Sequence, residues 1–210
     1  MILSHSKKFI FIHIYKVAGI SIRKVLSPYD ERTSKDFSWY MNLRFNIGQR
    51  YQLFSDWAID HIRAKQLKKH MRMDVFNNYF KFCFVRNPWD WQVSLYHFML
   101  QYKNHPQNKL VSSMKTFDEY IEWRIENDFE LQKDFICDEN DDILVDYIGR
   151  IENLQEDFDE ICLRLEIPPA QLPFSNKSNH RPYREYYNKH TIDLIAKAFK
   201  EDIELLHYEF

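Results

Sequence analysis

Phe9-Ile-Phe-Ile-His13-Ile-Tyr-Lys16-Val-Ala-Gly19-Ile-Ser21-Ile-Arg23 begins as an apolar run, reaches a lysine, and then places a glycine and a serine at the opening of a helical pattern. Such a segment can do anion chemistry. Ligands of open α/β sheets lie beyond the C-terminal ends of strands, where helix N-termini offer N–H groups to negative charge. Lys16 can meet that charge, Gly19 lets backbone approach a phosphate, and Ser21 can donate its hydroxyl. The plainer reading is a solvated turn lysine beside a turn glycine. No GxxxxGK[ST] run is present, so this is not a Walker A loop.

A second run has the same logic. In Tyr79-Phe-Lys-Phe-Cys-Phe-Val85-Arg86-Asn87-Pro88-Trp89-Asp90 a strand pattern ends at a basic residue and passes into a helix. Asn87 suits the N-cap, Pro88 the first helical position, and Asp90 the positive end of the helix. Arg86 presents a planar fork for a phosphate, and Ser94 follows about two turns into the helix. The alternative partner for Arg86 is a carboxylate such as Asp90.

The elements that position these groups follow from periodicity. Short apolar or β-branched runs predict strands at 8–14, 80–85 and 143–148. After Phe117, the positions Tyr120, Ile121, Ile125 and Phe129 predict a helix, with Thr116 and Glu119 as a capping box. Leu154, Phe158, Ile161 and Leu165 predict another, stopped by Pro168 and Pro169. Ile192, Ile195, Phe199, Ile203 and Leu206 predict a last one, and 104–113 and 168–187 read as loops. Strands separated by helices imply an α/β fold: one domain over 1–210, with a central, mostly parallel sheet flanked by helices.

Composition narrows the function. A formal net charge of -2 removes the basic excess expected of a nucleic-acid binder. Three glycines are too few for a glycine-rich cradle, so any anion site must use side chains heavily. Cys83, Cys137 and Cys162 form no CxxC pair, which suggests neither a disulfide framework nor a zinc knuckle. The run at 9–14 is too short for a signal peptide or membrane span, and the expectation is a cytoplasmic protein in a reducing compartment.

Lys16 to Ser21 resembles the 5′-phosphosulfate loop of the sulfotransferases related to carbohydrate and heparan-sulfate O-sulfotransferases, of the form H-I-P-K-T-A-G-T-S. Arg86 to Ser94 resembles their 3′-phosphate motif, F-V-R-N-P-W-D-R-x-V-S, with the same spacing. Ile148-Gly-Arg-Ile-Glu-Asn-Leu-Gln-Glu-Asp-Phe158 is similar to their I-G-R-x-E-N-L run, and Asn176 to Tyr187 to their C-terminal nucleotide-proximal loop. His13, Lys16, Ala18, Gly19 and Ser21 match position by position. Tyr15, Val17 and Ile20 replace the usual Pro, Thr and Thr, and the last two cannot offer a hydroxyl to the donor.

The resemblance implies a P-loop-NTPase-like fold and transfer of a sulfonate group from 3′-phosphoadenosine 5′-phosphosulfate (PAPS) to a hydroxyl acceptor, expected to be a carbohydrate, without metal. It gives Lys16 the charge that grows on the bridging oxygen, Ala18, Gly19 and Ser21 the 5′-phosphate, and Arg86 and Ser94 the 3′-phosphate. Lys177, Ser178 and Arg181 either close over that phosphate or stand as solvated loop charges. A hydroxyl that attacks must lose a proton, and His61, in Asp56-Trp-Ala-Ile-Asp60-His61-Ile-Arg, occupies the place of the family's catalytic histidine. A structural role for His61 is the alternative. His13, inside the first strand, reads as a core histidine. The competing functions are a small-molecule kinase of P-loop type and a nucleotide-binding module without turnover.

Overall fold

The computed structural model describes residues 1–38, 60–173 and 181–210. Its strands are β1 (Ile2–Ser4), β2 (Phe9–Phe11), β3 (Phe80–Val85) and β4 (Tyr147–Arg150). The helices, numbered among the described residues, are α1 (Gly19–Leu26), α2 (Ala64–His70), α3 (Met73–Asn78), α4 (Pro88–Gln101), α5 (Asn108–Ser113), α6 (Phe117–Asn127), α7 (Lys133–Ile136), α8 (Leu154–Arg164), α9 (Lys189–Ala198) and α10 (Lys200–Leu206).

These elements group into two compact units. The first comprises Met1–Val85 with Asp134–Ser175, and the second Arg86–Lys133 with Asn176–Phe210. The first unit holds a four-stranded sheet in the order β1-β2-β3-β4, in which β1 is antiparallel to β2 and the remaining pairs are parallel. The sequence expectation of a mostly parallel α/β sheet is met. β2 is buried along its whole length and β3 at all but its first residue, as parallel strands covered on both faces must be. Phe9, Phe11, Phe82 and Phe84 fill that core without exposed surface, and the Phe11 and Phe82 rings stack at 5.3 Å. Lys81 tolerates burial in β3 because its ammonium reaches the Tyr79 carbonyl at 2.8 Å and Asp146 at 2.9 Å.

β3 lies where the sequence places it, but the strand expected over 143–148 is displaced. Pairing with β3 starts at Tyr147, while the Leu144 amide donates to Ile136 O (2.8 Å) and Ile143 bridges Cys137. The early half of the run is therefore used by the segment after α7. The short β1 has too few residues to show alternation. Within the expected loop at 104–113, α5 forms, held by the Asn108 amide donating to Met99 O and Leu100 O.

In the second unit, Thr116 caps α6 by accepting from the Glu119 amide. The Glu119 carboxylate reaches one residue further back than a capping box requires, to the Lys115 amide. Phe129 falls past the end of α6 and is 45% exposed, whereas Arg124, a charged residue, takes the buried face beside Tyr120. The last predicted helix is divided at Phe199 into α9 and α10, with Phe199 buried edge-on against Trp91 at 6.3 Å.

Candidate active site

In the first unit, β2 leads through His13 and Tyr15 into the turn that starts α1. Two residues of this turn, Lys16 (φ 63°) and Ala18 (φ 59°), adopt the left-handed conformation, although neither is glycine. Each such residue costs about 1 kcal/mol or more, and strain of this kind persists only where surrounding packing imposes it. The packing here is Val17, fully buried between them. Valine at this position thus anchors the loop in the core, which is a physical use for a side chain that lacks a hydroxyl.

Ala18 is the N-cap of α1 and contributes no side-chain acceptor, and no acidic residue occupies the first turn. The Ser21 and Ile22 amides turn back to Ala18 O at 2.9 and 3.2 Å. A helix start with left-handed residues before it and no capping side chain suits an anion as its ligand. Gly19 has a definite reason to be glycine: a Cβ there would fall on the His13 ring. The sequence expectation was close approach of a phosphate, whereas the close neighbour seen is an imidazole.

His61 comes to this loop. Its Nδ1 donates to His13 O at 2.9 Å, its ring lies 4.4 Å from the His13 ring, and Tyr15 meets it edge-on at 6.0 Å. A carbonyl only accepts, so Nδ1 bears the hydrogen and Nε2 of the neutral ring bears the lone pair. Burial lowers His61 to about 4 and His13 well below its ordinary value, so both rings are neutral at neutral pH. Beside His61, Asp60 pairs with Arg23 of α1. Tyr15, in place of the family's proline, packs between His61 and Phe135.

In the second unit, α4 starts as its sequence requires: Asn87 accepts from the Trp89 amide at 3.1 Å, and Pro88 stands at the first position. Arg86 Nε donates to Asp90 at 2.6 Å, one helical turn away. The carboxylate partner considered from the sequence is thus present, and it fixes the plane of the guanidinium. Ser94 is buried on the same helix, 3% exposed. Arg181 is two-thirds exposed, 3.6 Å from Glu185 and over the Tyr186 ring at 5.1 Å, and Tyr186 in turn shares a hydrogen bond with His97 of α4 at 2.9 Å. Lys177 and Ser178 lie outside the described residues.

Two residues were invisible to sequence reasoning. The Gln132 side chain accepts from the Arg86 amide at 2.9 Å and donates to Arg86 O at 2.8 Å. Asp202 accepts from the Gln132 and Lys133 amides, both at 2.8 Å, and both Gln132 and Asp202 are fully buried. They lie 46 and 116 positions from Arg86, beyond any local pattern. The Ile148–Phe158 run has a structural explanation in the first unit: Phe84 covers Gly149 where a Cβ would clash, and Asp157 of α8 accepts from the Arg150 amide and the Tyr147 hydroxyl.

Among the described residues, no group of three or more metal-ligating side chains occurs, and no helix is long and apolar enough to cross a membrane. The chain is 32% identical over 108 residues, 50% of its own length and 82% of the relative's, to an uncharacterized protein of Archaeoglobus fulgidus. A model of the sulfotransferase family matches residues 1–209, running through both strand-end turns, the β4–α8 corner and the C-terminal helices. By that match this chain belongs to the sulfotransferase family, and it is a transferase of sulfonate groups.

Proposed function

We propose that the protein transfers the sulfonate of PAPS to the hydroxyl of a carbohydrate. The observation that carries this reading is the approach of His61, with its hydrogen fixed on Nδ1, to the strained loop bearing Lys16. The acceptor oxygen attacks sulfur in line, the bond between sulfur and the bridging phosphate oxygen breaks, and 3′-phosphoadenosine 5′-phosphate leaves. The acceptor proton passes to His61 Nε2. Such a reaction depends mainly on positioning and charge stabilisation. Lys16 meets the charge growing on the bridging oxygen, Ala18, Gly19 and Ser21 hold the 5′-phosphate, and Arg86 and Ser94 the 3′-phosphate. The family resemblance assigns Lys177, Ser178 and Arg181 to that same phosphate.

The scheme uses no metal. Buried thiols at Cys83, Cys137 and Cys162 fit a reducing compartment, and we place the protein in the cytoplasm. Ligand-dependent melting tests the donor site, because a ligand that binds only the native state stabilises it by mass action. The bisphosphate nucleotide raises the melting temperature, and AMP, which lacks the 3′-phosphate, does so far less. Equal shifts with the two nucleotides contradict the roles given to Arg86 and Ser94.

A further inference from the structure

We propose that Gln132, held by Asp202, is a positioning residue that gives the donor site its selectivity for a nucleotide 3′-phosphate. This rests on the role assigned above to Arg86. An arginine immediately after a strand has a mobile backbone unless its peptide groups are bound, and a guanidinium recognises phosphate only when its fork is aimed. The Gln132 amide binds both the N–H and the C=O of Arg86, at 2.9 and 2.8 Å, as one planar group grips another. Asp90 fixes the far end through Nε at 2.6 Å. Backbone and guanidinium are thus restrained separately.

The main chain at Gln132 is held in turn, because its backbone N–H and that of Lys133 donate to the two carboxylate oxygens of Asp202 on α10. A buried carboxylate is tolerated when backbone N–H groups satisfy it. Lys133 also pairs with Glu201, and Asn87, next to Arg86, donates to Glu209 O at 2.7 Å. The C-terminal helix and the segment after it therefore brace the residue assigned to the phosphate, while Gln132 and Asp202 are themselves fully buried.

Calorimetric titration of the full chain with 3′-phosphoadenosine 5′-phosphate and with AMP tests this. In Gln132→Met, which keeps the volume and loses both hydrogen bonds, bisphosphate affinity falls roughly tenfold to a hundredfold, the scale of one charge-assisted hydrogen bond misplaced. AMP affinity stays within about twofold, so the preference for the 3′-phosphate collapses. Asp202→Asn shows the same change in smaller measure and serves where Gln132→Met does not fold. If stability falls while the ratio of the two affinities matches wild type, Gln132 is a structural residue only and the proposal is wrong. A wild-type chain that binds both nucleotides equally overturns the role of Arg86 itself, and the proposal with it.

Discussion

Lys16→Ala lowers turnover roughly a hundredfold to a thousandfold and changes donor affinity far less. The magnitude is that of removing one preorganised donor from charge that develops in a transition state. The charge on the bridging oxygen grows only as sulfur departs, so the ammonium contributes little while the donor is intact. Lys16 sits at φ 63°, a conformation that Ala18 already adopts two residues later, so alanine carries a comparable backbone cost. Lys16→Arg restores only part of the rate, because a guanidinium fork presents its donors differently from a compact ammonium. Arg86→Ala, by contrast, mainly raises the donor concentration needed, since its contact is made equally before and during transfer. If Lys16→Ala weakens donor binding and leaves turnover intact, the lysine is a phosphate clamp and has no part in the chemical step.

His61→Ala lowers turnover by a hundredfold or more, within the range for loss of a general base, while binding of 3′-phosphoadenosine 5′-phosphate stays within about twofold. The base acts on the acceptor and not on the donor. Its pH signature is specific. Burial puts His61 at about 4, so the unprotonated Nε2 needed for catalysis persists well below the ordinary histidine range. The acidic limb of the wild-type pH profile lies near pH 4 to 5, not near 6.5, and it is absent from the residual activity of the variant. The same shift has a cost for stability. Between about pH 6.5 and 4 the unfolded chain binds protons at this position that the folded chain does not, so stability falls as the pH is lowered through that window. Near-normal turnover in His61→Ala, on the acceptor identified by labelled sulfonate, assigns the base elsewhere.

What the sequence displayed was local. Arg86, Asn87 and Pro88 announce a strand end and a capped helix within three positions, and β3 ends and α4 begins where those residues say. His61 is legible as a residue near the loop only through the family resemblance, because 48 positions separate it from the carbonyl it binds. Gly19 was legible as a close approach, but the ring of His13 that comes near it could not be named from spacing. Val17 looked like a lost hydroxyl and is a buried anchor. Gln132 and Asp202 were missed altogether, since a polar residue pairing with backbone far along the chain leaves no periodic trace. The displaced β4 shows the same limit: an apolar run points to a strand, and its hydrogen-bond partners decide which part joins the sheet.

Transfer of sulfonate from PAPS is measured directly with donor labelled in the sulfonate. Purified wild-type protein is incubated with that donor and a carbohydrate-containing extract, and label is followed into product beside the Lys16→Ala protein. Label in a carbohydrate fraction with stoichiometric release of 3′-phosphoadenosine 5′-phosphate, at a rate at least about a hundredfold lower with the variant, is the expected result. Label that remains on the donor in every fraction, from a protein that still binds the bisphosphate nucleotide, contradicts it and marks the chain as a nucleotide-binding module.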